Sequence, residues 1–158
     1  MVQTDSKVVV LGMALLMAGC AQIKTYEQVE QTKNAQLYTH LGGTVVKVQK
    51  TSDLPNIYGK ADIWGGKVDE GFTELRYEGL NDDGTVTLSV SEISVLTNED
   101  VFSRYVGTSH AHRVTLPPSV RMFKFDYVNN QELIIGNTAI RIIQATPTNL
   151  EYFLTDIR

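Results

Sequence analysis

The feature that most constrains the fold is a pair of alternating apolar and polar segments joined by a turn. Residues 73–78 alternate in this way, and so do residues 85–90. Residues 81–84 between them are Asn-Asp-Asp-Gly, and Asp and Gly tolerate the positive φ angles that tight hairpin turns require. Because side chains of a strand point alternately to its two faces, such alternation is typical of half-buried strands. We therefore predict a β-hairpin over residues 72–96.

The remainder of the chain from residue 37 onward shows the same kind of pattern. Alternating or β-branched segments, separated by Gly, Pro or Asn turns, recur at spacings of about 8 to 12 residues and give about nine strands. This spacing predicts a single all-β domain, either an antiparallel β-sandwich or a small β-barrel. One strand places Phe123, Phe125 and Tyr127 on the same face. We expect this aromatic stripe to pack in the core rather than to form a binding platform.

The first 20 residues have a different character. A short polar start with Lys7 precedes an apolar run from Val8 to Met17, and two small residues then lead to Cys20, the chain's single cysteine. The apolar run is shorter than the roughly 20 residues that a membrane-spanning helix needs, and its flanks are typical of a secretory signal peptide. Residues 16–20, Leu-Met-Ala-Gly-Cys, resemble the lipobox of bacterial lipoproteins, with Met17 where Leu is usual.

This resemblance implies that a signal peptidase removes residues 1–19 and that Cys20 then carries a diacylglycerol and an N-acyl chain such as palmitate. Several acyl chains anchor a protein far more firmly than one chain does. Ala21 follows the cysteine, and in lipoproteins of enteric bacteria this favours the outer membrane over the inner one. The alternative is an ordinary secretory signal in which Cys20 is incidental. The resemblance covers residues 1–20 and implies an address and an anchor, but no activity.

Length and composition fit one globular domain behind this signal. The chain has 158 residues, of which 42% are hydrophobic and 20% are charged, so it is neither a disordered acidic chain nor a coiled coil. A net charge of -4 argues against a nucleic-acid partner, and a single cysteine excludes an internal disulfide. Residues 20–35 are polar and predict an acylated cysteine followed by a tether, whereas residues 36–158 predict the all-β domain.

The segment 53–72 is the least core-like part of the predicted domain. It contains several glycines, charges of both signs and the single tryptophan, Trp64, with Tyr58 and Phe72 nearby. Aromatic anchors in polar surroundings are typical of protein interfaces, so we predict that Tyr58, Trp64 and Phe72 form a binding surface. The alternative is that Trp64 closes one end of the β core and the glycines only serve turns.

Candidate residues for catalysis are few. His110 and His112 lie two residues apart, so on a strand both imidazoles would share a face and could hold a metal; the alternative is two solvated histidines. The acidic clusters at residues 69–70 and 98–100 could in principle perform acid–base chemistry, but they lie beside predicted turns, where solvated acids are common. The chain lacks a nucleophile-elbow motif and a phosphate-loop motif, and we expect no cofactor.

These observations favour a membrane-anchored envelope lipoprotein that acts as a non-catalytic binding or assembly module with an envelope protein as partner. Two alternatives stay open. If the strands close into a barrel with a cavity, the protein would be a small-ligand carrier. If His110, His112 and nearby acids gather, it would be a metal-dependent envelope hydrolase.

Overall fold

A computed structural model describes residues 21–107 and 111–157 of the chain. Over these residues the protein forms ten β-strands and one short α-helix. The predicted all-β class is confirmed, with ten strands instead of about nine and a helix that the sequence pattern had not indicated. The elements are β1 (Thr25–Val29), β2 (Gln36–His40), β3 (Thr44–Asp53), β4 (Lys67–Leu80), β5 (Val86–Thr97), α1 (Val101–Tyr105), β6 (Arg113–Thr115), β7 (Ser119–Phe125), β8 (Leu133–Ile135), β9 (Thr138–Ala145) and β10 (Asn149–Asp156).

The strands form two sheets. The larger sheet has six strands in the order β1-β3-β4-β5-β6, with β7 also paired to β5, and the smaller sheet has four in the order β2-β10-β9-β8. Strands β6 and β7 lie one after the other along the edge of β5, and Pro117 and Pro118 stand between them. Proline has no N–H to donate to a ladder, so one continuous strand cannot run through this point.

The predicted hairpin over residues 72–96 is present as β4 and β5, which pair antiparallel. Residues 81–84 form its turn. The backbone N–H of Asn81 donates to the carbonyl of Thr85 at 2.8 Å, and Gly84 has a φ of +80°, which a residue with a side chain adopts only at a cost. A second hairpin joins β8 to β9.

The described residues fall into two compact units, which the prediction of one domain over 36–158 did not distinguish. The sandwich unit comprises Tyr26–Thr51, Asp69–Leu96 and the described part of Val114–Arg158. The loop unit comprises the described residues within Met1–Thr25, Ser52–Val68 and Thr97–Arg113.

Both sheets contribute to one apolar core in the sandwich unit. Its buried residues come from β3, β4 and β5 of the larger sheet and from β9 and β10 of the smaller sheet, as expected when two sheets pack face to face. Phe123, Phe125 and Tyr127 pack against this core and are partly buried. The expectation that the aromatic stripe belongs to the core is therefore confirmed. The buried residues are Val45, Val46, Val48, Leu75, Tyr77, Val86, Leu88, Ile140, Ile142, Ala145, Leu150, Tyr152 and Leu154.

The segment predicted to be a polar tether is hydrogen-bonded into the fold from its first described residue. Thr25–Val29 forms β1, which pairs with β3 at the edge of the larger sheet. Just before it, the carbonyl of Ala21 accepts a hydrogen bond from the backbone N–H of Ala61 at 3.0 Å. Four of the five residues of β1 are exposed. An edge strand with so little buried surface has no alternating pattern, which is why its sequence resembles a tether.

Two turns of the sandwich unit hold carboxylates with lowered pKa values. The side chain and the backbone N–H of Thr85 donate to Asp83 and lower its pKa from 3.8 to about 2. The side chain and backbone of Asn129 likewise lower the pKa of Asp126. A group whose pKa is lower in the folded than in the unfolded state contributes stability above its unfolded pKa, and this contribution disappears as the pH falls through the folded value.

We therefore expect the melting temperature to fall as the pH drops from 3.8 toward about 2, partly because Asp83 becomes protonated. The variant Asp83→Asn should lose stability at neutral pH and fall less steeply over that range. Thermal unfolding followed by circular dichroism at several pH values measures this, with Asp82→Asn, at an exposed neighbouring position, as the control. An Asp83→Asn variant as acid-sensitive as the parent protein would contradict the assignment.

Candidate functional site

The candidate site is an apolar groove in the loop unit. Its volume is about 220 Å³, and it is lined by Asn56, Ile57, Tyr58, Asp62, Ile63, Trp64, Val101 and Phe102. The Trp64 ring also contacts the ring of Tyr105 edge to face, with 5.7 Å between the ring centroids. We refer to the solvent-exposed apolar side chains here as the aromatic patch: Ile57, Tyr58, Ile63, Trp64, Phe102 and Tyr105.

The aromatic patch is strongly exposed. Tyr58 is 80% exposed, Ile63 74% and Trp64 69%, although large apolar side chains are usually buried. Contiguous exposed apolar surface of this kind marks interaction sites in soluble domains. The alternative that Trp64 closes one end of the β core is therefore wrong, because its side chain lies on the surface of the loop unit.

Two polar side chains order the patch loop, residues 55–66, which carries Ile57, Tyr58, Ile63 and Trp64. The Asn56 side-chain oxygen accepts hydrogen bonds from the backbone N–H groups of Tyr58 and Lys60, at 2.9 and 3.1 Å. The Asp62 carboxylate accepts from the backbone N–H groups of Trp64 and Gly66, both at 3.1 Å. Asn and Asp side chains commonly close turns in this way. The patch residues are thus held on a hydrogen-bonded loop.

Helix α1 supplies the other side of the groove. Asp100 caps its N-terminus by accepting from the backbone N–H of Ser103 at 2.7 Å, and the Ser103 hydroxyl accepts from the backbone N–H of Asp100. The hydrogen bond from the Ser103 backbone holds the pKa of Asp100 below its usual value. The backbone N–H of Val101 donates to the carbonyl of Pro55 at 3.0 Å, which joins α1 to the patch loop.

The sequence pattern did not single out the patch residues of α1, Phe102 and Tyr105, nor Ile57 and Ile63. A signal for the helix exists. Asp100 followed three residues later by Ser103 is compatible with an N-terminal cap, but five residues are too short to show a helical period.

The structure brings together two of the three predicted binding residues. Tyr58 and Trp64 line the same groove, whereas Phe72 belongs to the sandwich unit and is not among the groove's lining residues. The ammonium of Lys47 lies over the Phe72 ring, 4.6 Å from its centroid, which is a cation–π contact within that unit. Phe72 on β4 thus has a packing contact in the sandwich unit and does not line the groove.

The predicted acidic clusters have structural partners. Asp69 accepts hydrogen bonds from the side chain of Gln49 at 2.6 Å and from the backbone N–H of Gly71 at 2.9 Å. Glu99 pairs with Arg104 at 2.6 Å, and the neighbouring Asp100 caps α1. In both clusters carboxylates stabilise turns, helix ends or ion pairs, which gives no support to a catalytic role.

The predicted metal pair is only half described. His112 is exposed, and its backbone N–H donates to the side chain of Asn98 at 2.7 Å, while His110 lies outside the described residues. Across residues 21–107 and 111–157, no group of three or more His, Cys, Asp or Glu side chains is placed to hold a metal ion. Cys20 and the signal segment 1–19 also lie outside the described residues.

A second, larger groove of about 430 Å³ lies on the smaller sheet of the sandwich unit. Most of its lining residues have polar side chains, among them Tyr38, His40 and Glu151. The side chain of Gln36 donates to both the Tyr38 hydroxyl and the Glu151 carboxylate, so two of these polar groups already bond to a neighbouring side chain of the same sheet.

Comparisons with known proteins do not identify this fold. No protein-family model, no curated protein and no solved structure matches the chain. In the part of the chain that the structure describes, no helix is long and apolar enough to cross a membrane.

The role of Asp62 in shaping the site can be tested directly. Replacing Asp62 by Ala removes the acceptor of two backbone N–H groups, and leaving such groups unpaired costs about 1 to 3 kcal/mol. We expect faster amide hydrogen exchange at Trp64 and Gly66 and a lower melting temperature. Asp82→Ala, at an exposed position in the hairpin turn, should change neither. Unchanged exchange at Trp64 in Asp62→Ala would show that the loop is ordered by other contacts.

Proposed function

We propose that this protein is a lipid-anchored component of the bacterial cell envelope that acts by binding and not by catalysis, with the aromatic patch as its binding surface. The exposed patch is the observation that carries the proposal. Surfaces of this composition, with Trp and Tyr among aliphatic side chains, are typical of recognition sites.

The environment of the patch supports binding rather than chemistry. The acidic side chain in the groove, Asp62, is almost buried, and its carboxylate is engaged by the backbone of its own loop. The remaining lining is apolar apart from Asn56, whose side-chain oxygen also accepts backbone hydrogen bonds. A general acid or base must be able to reach a substrate proton, whereas both polar side chains here already accept hydrogen bonds from the backbone of their own loop.

The lipid anchor is supported by the lipobox-like segment ending at Cys20 and by Ala21, which favours the outer membrane. It is tested by mass spectrometry of the N-terminal peptide from protein purified out of bacterial membranes. We expect a peptide that begins at Cys20 and carries acyl chains. A Cys20→Ala variant should lose the modification and leave the membrane fraction. An unmodified Cys20 in the membrane protein would overturn the proposed anchor.

The binding surface is tested by photo-crosslinking in intact bacteria. A Tyr58→p-benzoylphenylalanine variant places the reactive group on the patch, and a Tyr38→p-benzoylphenylalanine variant places it on the exposed smaller sheet as a matched control. We expect position 58 to form an adduct with an envelope component and position 38 to form none. If position 58 yields no adduct, the patch is not the binding surface.

Trp64 should matter for binding far more than for folding. Its side chain is exposed and its described ring contact is the edge-to-face pair with Tyr105, a kind of contact worth about 0.5 to 1.5 kcal/mol. We therefore expect Trp64→Ala to lower the free energy of unfolding by no more than about 1.5 kcal/mol while it removes the adduct formed from position 58. A large loss of stability would instead indicate a structural role for the ring.

A further inference from the structure

We propose that the aromatic patch binds the surface of the phospholipid bilayer, so that the loop unit rests on the membrane beside the acyl anchor. This inference rests on the proposed lipid anchor at Cys20 and names the occupant of the proposed binding surface.

The position of the N-terminus is the first argument. Ala21 belongs to the loop unit, where its carbonyl accepts a hydrogen bond from Ala61, a residue of the patch loop between Tyr58 and Trp64. Lys24 is tied to the same unit, because its backbone N–H donates to the Asp53 carboxylate at 3.0 Å. The chain is therefore hydrogen-bonded to the loop unit at residues 21 and 24.

One peptide bond joins Ala21 to Cys20, and consecutive Cα atoms are about 3.8 Å apart. Acyl chains on Cys20 would therefore begin next to the segment that bears the patch. A long flexible tether would let any face of the protein point toward the membrane, but an attachment this short selects the neighbouring surface. That surface belongs to the unit that presents Ile57, Ile63 and Trp64 to solvent.

The composition of the patch is the second argument. Trp and Tyr rings prefer the boundary between headgroups and acyl chains, because each ring has an apolar body and a polar edge. Ile57, Ile63 and Phe102 add aliphatic and aromatic surface that gains free energy when it leaves water. A second point of contact also converts binding of the patch into an intramolecular event, so even a weak affinity for lipid suffices once the acyl chains are inserted.

The charges of the loop unit are the third argument. Each acidic side chain in its described part is engaged: Asp53 by Lys67, Asp62 by loop amides, Glu99 by Arg104, and Asp100 by the helix N-terminus. Lys60 lies in the patch loop itself, between Tyr58 and Trp64. A surface whose carboxylates are all ion-paired or hydrogen-bonded, and which has a lysine among its aromatics, is compatible with anionic lipid headgroups.

Trp64 is the chain's single tryptophan, so its fluorescence tests the proposal without any added label. The full acylated protein is reconstituted into vesicles of phosphatidylethanolamine and phosphatidylglycerol, with lipids brominated either near the headgroup or near the end of the acyl chain. We expect Trp64 emission to shift to shorter wavelength. We also expect stronger quenching by the bromine atoms near the headgroup than by the deep ones.

Two matched variants separate the patch from the rest of the surface. Ile63→Asp places a charge on the aromatic patch, whereas Ile134→Asp places one at an exposed isoleucine of β8 in the sandwich unit. We expect Ile63→Asp to lose most of the quenching and Ile134→Asp to retain it. Circular dichroism checks that both variants remain folded.

The outcomes separate this inference from the proposed function. The membrane-binding inference would be overturned if the acylated protein showed Trp64 emission at the wavelength found in water and no quenching by brominated lipid. If position 58 crosslinks to an envelope protein in that case, the binding module stands and its occupant is a protein. An unmodified Cys20 would instead overturn the anchor and, with it, this inference.

Discussion

Gly71→Ala should destabilise this protein by about 4 kcal/mol or more, enough to leave a small domain largely unfolded. Gly71 lies in β4 opposite Ser94, with a φ of +103°, a conformation that side chains rarely allow. A Cβ atom at this position would lie 1.9 Å from the carbonyl oxygen of Ile93. That oxygen is part of the backbone of β5, so relieving the overlap requires the central hairpin to separate.

Gly84→Ala is the matched control for this prediction. Gly84 also has a positive φ, +80°, but a Cβ atom there meets nothing within 4 Å. Gly84→Ala should therefore lower the free energy of unfolding only by the backbone strain, about 1 to 2 kcal/mol. Denaturant unfolding of both variants measures the difference, which isolates the steric overlap at Gly71. Equal destabilisation of the two variants would mean that the hairpin adjusts easily at β4.

Tyr77→Ala should have the second largest effect, a loss of about 3 to 5 kcal/mol in the free energy of unfolding. Tyr77 has no exposed surface, and its ring fills the core between the two sheets. Its hydroxyl also donates a hydrogen bond to the carbonyl of Thr146 at 2.5 Å. Removing the ring leaves a cavity that close-packed strands cannot collapse to fill.

Tyr77→Phe separates the ring from the hydroxyl, since it keeps the packing and removes the hydrogen bond to Thr146. We expect it to cost about 1 kcal/mol. Tyr38→Ala, at a tyrosine that is 68% exposed, should change stability by less than about 0.5 kcal/mol. If Tyr77→Ala were as mild as Tyr38→Ala, the core would be more plastic than the packing of its strands implies.

Much of the sandwich unit follows from local sequence. The hairpin of β4 and β5 is predictable because its alternation and its Asn-Asp-Asp-Gly turn indicate the same structure independently. The core position of the aromatic stripe from Phe123 to Tyr127 is predictable because an apolar strand face gains stability when it packs against other apolar side chains. Strand β1 was not predictable from the sequence. It is an exposed edge strand that is ordered by backbone pairing with β3, and such pairing does not require a periodic pattern of apolar side chains.

The candidate site was predictable only in part. Trp64 and Tyr58 stand out by residue type within a glycine-rich segment, and their shared groove agrees with that signal. Phe72 is close to Trp64 in sequence but belongs to a strand of the other unit. Phe102 and Tyr105 come from a distant segment, and such a juxtaposition depends on tertiary contacts that a single sequence does not encode locally.

The prolines between β6 and β7 have a consequence for self-association. A sheet edge with a long row of free N–H and C=O groups can template pairing with the edge of a neighbouring molecule. Pro117 and Pro118 divide this edge into a three-residue and a seven-residue strand. Arg121 and Lys124 then place positive charge along the longer piece. These features protect the edge against strand pairing with a second copy of the protein.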